Sequence, residues 1–174
     1  MKNVIKYDSF FSEPLYNEII EHTNSIIKNK SVSFNTSFAW QESLKGNSGL
    51  IARYEFGKPE LDFFKKIKLE SEKKIPYVIS KVVLHLFPPL SYITWHDDTH
   101  VKAALTVYLN EEWDENWGGY LLYKEDTEIK AIKPERNLGV LQQNGVEHCV
   151  SCVNIGADYR MSLQFFLETE QKLF

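Results

Sequence analysis

Residues 92–123 read YITWHDDTHVKAALTVYLNEEWDENWGGYLLY, and the rest of the sequence is best understood from this stretch outward. His96 and Asp98 lie near its start, two positions apart. Side chains at i and i+2 of an extended strand point to the same face, so these two residues can bind one metal ion from one strand. A third ligand must come from elsewhere, and His148 is the best candidate. Two histidines and one carboxylate form the facial triad that suits non-haem Fe(II) and leaves positions open for oxygen and a co-substrate.

The chain has 174 residues, of which 43% are hydrophobic and 25% are charged. This size and composition are typical of one soluble globular domain. The formal net charge of −4 argues against nucleic acid or an anionic membrane as the main partner. The sequence contains no run of 18 apolar residues and no secretory signal, and its two cysteines, Cys149 and Cys152, fit a reducing compartment. We therefore expect a cytoplasmic protein without a membrane span.

The N-terminal half predicts two helices joined by irregular chain. Ser12 is the predicted N-cap of a helix that reaches about Lys30. The second helix is predicted from Glu60 to Lys74, with Leu69 on its apolar face and its lysines on a solvated face. Residues 31–56 mix polar clusters with aromatic residues, which is typical of short strands and loops.

After Pro76 the sequence changes to a series of short, strand-like segments. They read YVISKVVLHLF, KAALTVYLN, GGYLLYK, EIKAIKP, NLGVLQQ, HCVSCVN and DYRMSLQFFLE. Each alternates or is fully apolar, and Gly, Pro, Asn and Asp separate them, which is typical of an antiparallel sandwich or barrel. The sequence therefore predicts a mainly β fold in which two N-terminal helices pack on a C-terminal β-sandwich.

An arginine in the last predicted strand indicates an anion-binding site. Arg160 follows His148 by 12 positions and stands in an otherwise apolar strand, YRMSLQFF. A buried and unpaired charge is very costly, so Arg160 needs an anionic partner. Its planar guanidinium matches a carboxylate, and Ser162, on the same strand face, can add a hydrogen bond.

Taken together, these residues form an ordered pattern. It consists of H-x-D at His96–Asp98, YLN-x-x-W-D-x-x-x-GG-x-L over residues 108–121, a distal His148, and R-x-S at Arg160–Ser162. The pattern covers roughly residues 80–168, the C-terminal half of the chain. It resembles the iron(II)- and 2-oxoglutarate-dependent oxygenases, in particular their prolyl 4-hydroxylase-like branch.

The resemblance implies a fold and a metal site. The expected fold is a double-stranded β-helix, a jelly roll of about eight strands in two sheets. Residues 1–174 would form a single oxygenase domain, with bracing helices and short strands over 1–79 and the jelly-roll core and active site over 80–168. His96, Asp98 and His148 would hold Fe(II).

The resemblance also implies how a co-substrate is bound. Arg160 would bind the distal carboxylate of 2-oxoglutarate, helped by Ser162. Tyr108 matches a family tyrosine that contacts the same carboxylate, and Leu121 matches a residue that lines the pocket. Fe(II), O2 and 2-oxoglutarate would supply the oxidising chemistry, with ascorbate as a candidate reductant.

The expected reaction is hydroxylation of a C–H bond. Related halogenases replace the metal carboxylate by a small residue, so the presence of Asp98 favours hydroxylation. The substrate indicated by the resemblance is a prolyl residue in a peptide or protein, and the alternative is a free amino acid or another small molecule. Residues 31–56 are candidate loops that cover the bound substrate. Two other classes stay open: a non-catalytic sensor that binds a metal or an acidic metabolite, and a cupin-like metalloenzyme, against which Arg160 and Ser162 argue. His85 is predicted to be a structural or surface residue.

Overall fold

The computed structural model describes residues 3–29, 33–35, 48–57, 61–143 and 145–169. The described elements are two α-helices, one single-turn 3₁₀ helix and eleven strands. In chain order they are β1 (Val4–Tyr7), α1 (Glu13–Lys28), β2 (Ser33–Asn35), β3 (Ile51–Glu55), α2 (Leu61–Glu72), β4 (Val78–Phe87), β5 (Ile93–His96), β6 (Ala103–Tyr108), the 3₁₀ turn (Glu115–Trp117), β7 (Leu121–Glu125), β8 (Glu128–Ile132), β9 (Gly139–Gln143), β10 (His148–Val150) and β11 (Arg160–Glu168). The prediction of a mainly β fold is confirmed.

The strands form two antiparallel sheets. The large sheet has seven strands in the order β1-β9-β6-β11-β4-β3-β2, and the small sheet has four in the order β5-β10-β7-β8. Six of the seven segments predicted as strands after Pro76 contain one of these strands, and the seventh, GGYLLYK, contains β7 except for its last residue, Glu125. In the described part of the chain, no helix is both long and apolar enough to cross a membrane.

The first predicted helix is α1, and its start is linked to α2. Ser12 occupies the N-cap position with an extended backbone, but its side chain makes no capping hydrogen bond. Instead, its hydroxyl donates to Glu70 at 3.0 Å, and its backbone N–H donates to the same carboxylate at 2.5 Å. The carboxylate of α2 therefore orders the N-terminus of α1 in place of the predicted cap.

The second predicted helix ends two residues earlier than expected, because α2 stops at Glu72. Its core residue is Ile67, which has no exposed surface, whereas the expectation for Leu69 is wrong: that side chain is 63% exposed. The lysines on its outer face make ion pairs, such as Lys66 with Glu18 of α1 at 2.7 Å. They form the solvated face that the sequence predicted.

The large sheet is covered on both faces, and the alternation in β11 shows how. Leu163, Phe165 and Leu167 point towards the helices and belong to the main core with residues of α1 such as Tyr16 and Ile19. The alternate side chains of β11 point towards the small sheet and line a cavity between the two sheets. Full burial of one large apolar side chain contributes about 1.5–3 kcal/mol to stability. The layer that faces the helices therefore stabilises the sheet, and the opposite face can carry polar side chains.

Two smaller apolar clusters join the sheets on either side of this cavity. On one side, Ile51 and Phe87 of the large sheet pack with Ile93 and Val150 of the small sheet. On the other side, Tyr108, Val140, Leu121 and Ile132 form a second contact between the sheets. The cavity is therefore walled by apolar contacts and lined in its middle by polar residues.

Candidate active site

The three proposed metal ligands come together at the small sheet. His96 is the last residue of β5, His148 is the first residue of β10, and the two are paired across the strands. One ligand atom from each of His96, Asp98 and His148 lies within 4.8 Å of the others, and all three residues are buried. The expectation that His96 and Asp98 share one strand is wrong, because β5 ends at His96. Pairing with β10 stops at His96, so Asp98 reaches the group from the loop that follows.

Backbone carbonyls fix the orientation of both imidazoles. Nδ1 of His96 donates to the carbonyl of Thr94, and Nδ1 of His148 donates to the carbonyl of Val146, each at 2.8 Å. A donating Nδ1 leaves Nε2 as the lone-pair atom of each ring, which is the arrangement found in metal-binding histidines. Nε2 of His148 lies 3.7 Å from Oδ2 of Asp98. We call His96, Asp98 and His148 the triad end of the cavity.

Burial keeps His96 in the form that a metal requires. Desolvation by burial, followed by the neighbouring His148, lowers the pKa of His96 to about 4, although Asp98 partly opposes both effects. A metal ligand must be a neutral imidazole or an ionised carboxylate. The environment of His96 therefore favours the metal-binding form at neutral pH.

The opposite end of the cavity is built around Arg160, the largest of the fully buried side chains. Its Nε donates to the carbonyl of Gly119 at 2.7 Å, and Nη1 lies 3.5 Å from the hydroxyl of Ser162. The guanidinium carbon lies 4.7 Å from the ring centre of Phe87 and 5.0 Å from that of Tyr108. No carboxylate among the described residues forms an ion pair with it. Burial lowers the pKa of Arg160, and Tyr108 partly opposes this shift.

The Gly-Gly turn makes this arrangement possible. Both Gly118 and Gly119 have positive φ, at 66° and 64°. A Cβ at Gly119 would lie 2.9 Å from Cδ of Arg160, and one at Gly118 would lie 2.2 Å from the carbonyl oxygen of Cys152. Only glycine satisfies both the backbone conformation and the close approach. The sequence GG therefore brings a backbone carbonyl to the guanidinium.

Tyr108 and Leu121 lie on neighbouring parts of the two sheets, and the roles that the resemblance gives them stay predictions. Tyr108 is fully buried on β6, opposite Ser162 in the strand pairing, and its ring packs against the Arg160 guanidinium. Burial raises the pKa of Tyr108, with Arg160 as the opposing influence. Leu121 is 3% exposed and lines the cavity from β7. We call Arg160, Ser162 and Tyr108 the arginine end.

Arg160 and Ser162 line the same cavity as His96, Asp98 and His148. Its lining includes residues that were not assigned to the site from the sequence, among them His85, Thr106, Gln142, Gln164 and Phe166. His85 was expected to be structural or exposed, yet it is buried beside Arg160. Burial, followed by the positive charges of Arg53, Arg160 and Lys81, lowers its pKa to about 3. Most of these residues are polar and stand in apolar strands. A polar residue at such a position indicates a strand face that lines a polar cavity, and this signal could have identified them from the sequence.

The candidate substrate-covering loops, residues 31–56, lie largely outside the described residues. The described part includes β3, in which Arg53 is paired with His85 of β4 and therefore lies on the cavity face of the large sheet. The prediction that these loops cover the site stays a prediction.

A sequence model of the 2OG-Fe(II) oxygenase superfamily matches residues 82–168. The chain belongs to this superfamily. The matched segment begins in β4 and ends at the last residue of β11, so it contains all six residues of the triad and arginine ends and also Leu121. By sequence, no curated protein matches this oxygenase.

The fold of this oxygenase is similar to that of solved structures at low sequence identity. A prolyl-4-hydroxylase from Pseudomonas putida is 15% identical, with a TM-score of 0.71 over 97% of this chain and 94% of that one. A prolyl hydroxylase from Trichoplax adhaerens, in complex with a hypoxia inducible factor oxygen degradation domain peptide fragment, is 13% identical, with a TM-score of 0.75 over 95% and 83%. The epimerase SnoN from nogalamycin biosynthesis is 9% identical, with a TM-score of 0.70 over 96% and 78%.

The residues of this oxygenase fit the iron and 2-oxoglutarate that the superfamily implies. Two imidazoles and one carboxylate on one side of a site suit Fe(II) and leave coordination positions open. A buried guanidinium with no carboxylate partner in the described chain suits the free carboxylate of a diacid. The chain thus supplies donors of the right kind at each end of one cavity.

Proposed function

We propose that this protein is an Fe(II)- and 2-oxoglutarate-dependent dioxygenase that hydroxylates a C–H bond. The observation that carries this proposal is the buried Arg160, which faces the same cavity as the triad and has no anionic partner among the described residues. A purely structural arginine would be expected to pair with a carboxylate of the protein. A metal site without a co-substrate, as in a cupin-like enzyme, would not need this buried cation.

Each end of the cavity has a distinct task in this proposal. His96, Asp98 and His148 hold the iron, with their orientation set by the backbone carbonyls of Thr94 and Val146. At the arginine end, the guanidinium binds the distal carboxylate of 2-oxoglutarate, while Ser162 and Tyr108 contribute hydroxyl groups. When bound, iron and 2-oxoglutarate supply the oxidising chemistry, and ascorbate serves as a reductant that keeps the iron ferrous.

Fold and family support the remaining parts of the proposal. We propose that residues 1–174 form one domain, a double-stranded β-helix braced by α1 and α2, in which Leu121 lines the co-substrate pocket. The protein acts in the cytoplasm, and with a net charge of −4 we expect no nucleic-acid partner.

The proposed substrate is a prolyl residue in a peptide or protein. Support comes from the similar folds of two prolyl hydroxylases, one of which was solved with a bound peptide fragment. The similar fold of an epimerase shows that the fold also serves small-molecule chemistry, so a free amino acid or another small molecule is the second candidate. Asp98 favours hydroxylation over halogenation in either case.

The proposal is tested by anaerobic titration of the metal-free protein with Fe(II) and 2-oxoglutarate. We expect a weak visible charge-transfer band that requires both components, and formation of succinate once air is admitted. Absence of the band would refute the proposed function. A band without oxygen-dependent succinate, with every candidate substrate tried, would instead support the non-catalytic sensor.

A further inference from the structure

Gln142 is a buried polar residue that neither the triad end nor the arginine end uses. It lies on β9, lines the cavity and is only 3% exposed. Its amide nitrogen is buried and has no hydrogen-bond partner among the described residues. An unsatisfied buried donor is destabilising, so a ligand that accepts a hydrogen bond from it would remove this cost.

Strand pairing locates Gln142 relative to the arginine end. Gln142 is paired with Ala104 of β6, and Ala104 is paired with Phe166 of β11, so the three residues form one row across the large sheet. Ser162, at the arginine end, is four residues before Phe166 on β11. Four residues of a strand span about 13 Å, which is longer than the five-carbon chain of 2-oxoglutarate. Gln142 therefore lies beyond the reach of a co-substrate that is bound at Arg160.

The row between these two positions is also polar. Gln164 of β11 is paired with Thr106 of β6, and the Thr106 hydroxyl donates to the amide oxygen of Gln164 at 2.6 Å. Because this oxygen is occupied, the amide nitrogen of Gln164 is the group that remains to bind a ligand. The cavity wall thus presents amide donors along the path from the arginine end to Gln142.

A small side chain lies in the middle of the row that contains Gln142. Ala104 stands between the amide of Gln142 and the ring of Phe166, and its methyl group is the smallest side chain on that part of the wall. His148 follows Gln142 by six residues, where the chain passes from the large sheet to the small one. A ligand at Ala104 would have an amide donor on one side and an aromatic ring on the other, in the cavity that the triad also lines.

We propose that Gln142 binds the primary substrate, by donating a hydrogen bond from its amide nitrogen to a carbonyl or carboxylate oxygen of that substrate. The apolar part of the same substrate packs on Phe166, across Ala104. This inference rests on the proposed function and narrows it: the substrate class consists of molecules with a hydrogen-bond acceptor next to a compact apolar group. Gln142 acts here as a specificity-determining residue.

The test compares Gln142→Met with Gln143→Met. Methionine is close to glutamine in length but cannot donate a hydrogen bond. Gln143 is the matched control, since it is the next residue of β9, points to the opposite face and does not line the cavity. The probes are blocked peptides with one prolyl residue and free L-amino acids, all of which carry a carbonyl or carboxylate acceptor. A probe is chosen by its stimulation of succinate formation by the wild-type enzyme.

For Gln142→Met we expect KM for the chosen probe to rise about tenfold, as for loss of one buried hydrogen bond, with a much smaller change in kcat. The 2-oxoglutarate concentration that gives half of the charge-transfer absorbance should stay within about twofold of wild type. The Tm should be equal or higher, because an unsatisfied amide has been removed from the interior. Gln143→Met should behave as wild type in all three measurements.

Three outcomes would overturn the inference. The first is an unchanged KM in Gln142→Met. The second is a loss of 2-oxoglutarate affinity in this variant that equals its loss of substrate affinity. The third is that no peptide or amino acid of the panel stimulates succinate formation by the wild-type enzyme. A lower Tm with unchanged substrate selectivity would assign Gln142 a structural role instead, which also contradicts the proposal. Failure of the proposed function itself is separately visible, as absence of the charge-transfer band in the wild-type protein.

Discussion

At the triad end of the cavity, two residues of the small sheet and one residue of a loop form a group whose side chains are ordered by contacts within the protein. Their imidazoles are held by backbone carbonyls, and a carboxylate lies beside them. At the arginine end, the large sheet buries a full positive charge that has no carboxylate partner in the described chain. The triad end is thus ordered by the protein alone, whereas the arginine end is electrostatically incomplete until an anion binds. The two ends should therefore respond differently to substitution.

The largest expected effect is at the triad end, for His148→Ala. Removal of one of three ligands should weaken Fe(II) affinity by more than about 100-fold and abolish succinate formation, since even loss of an outer hydrogen bond to a metal ligand costs 10- to 100-fold. Isothermal titration with Fe(II), in the absence of oxygen, measures the affinity. Substitution of Cys149, the next residue of the same strand, by Ala is the control and should bind iron as wild type. Retention of iron affinity in His148→Ala would show that the three residues are not a metal site.

The second effect separates the two ends. Arg160→Ala should weaken 2-oxoglutarate binding by about 100-fold or more, which corresponds to loss of a buried, charge-assisted pair, and should leave Fe(II) affinity within a few-fold of wild type. Anaerobic titrations with each component measure both. Arg160→Lys keeps the charge but loses the planar fork, so it should fall between wild type and Arg160→Ala. Equal loss of iron and 2-oxoglutarate binding would contradict the assignment of Arg160 to the co-substrate.

A smaller effect at the arginine end is expected for Gly119→Ala, because its new Cβ would press on Cδ of Arg160 at 2.9 Å. We expect about tenfold weaker 2-oxoglutarate binding and about 1–2 kcal/mol lower stability from the positive φ. Gly145→Ala is the control: Gly145 also has a positive φ, 82°, but its Cβ would meet nothing within 4 Å. The Gly145→Ala variant should be less stable than wild type but should bind 2-oxoglutarate with the same affinity. Weaker 2-oxoglutarate binding in both variants would show that backbone strain, and not contact with Arg160, causes the loss.

The sequence was sufficient where the inference depended on local geometry. The period-two rule correctly placed Arg160 and Ser162 on one face of β11, because it holds on any strand. The order of His96, Asp98 and His148 along the sequence was enough to predict that the three side chains come together. The same rule failed for Asp98, since the end of β5 is set by pairing with the three-residue strand β10 and not by the sequence of β5.

The rest of the site depended on register between distant strands. The segment NLGVLQQ ends in two glutamines, and either could have faced the cavity. Only the pairing of Gln142 with Ala104 decides between them. His85 reads as an isolated polar residue in an apolar strand, and its position near Arg160 follows from the pairing of β4 with β11. Contacts of this kind are set by tertiary structure and cannot be derived from one strand at a time.

The smallest expected effect concerns the pH dependence of stability, through His85. Burial, followed by the charges of Arg53, Arg160 and Lys81, lowers its pKa to about 3, whereas an unfolded histidine titrates near 6.5. Between these values the unfolded chain binds the extra proton, so the stability from neutral His85 is complete above about pH 6.5 and is lost as the pH falls towards 3. The slope is about 1.4 kcal/mol per pH unit within this window.

Urea unfolding of metal-free protein should therefore show a drop in stability from pH 6.5 to 5 that is about 1–2 kcal/mol smaller in His85→Gln than in wild type. If His85→Gln keeps the wild-type pH dependence, His85 titrates over the same pH range in the folded and unfolded protein, and burial does not hold it neutral.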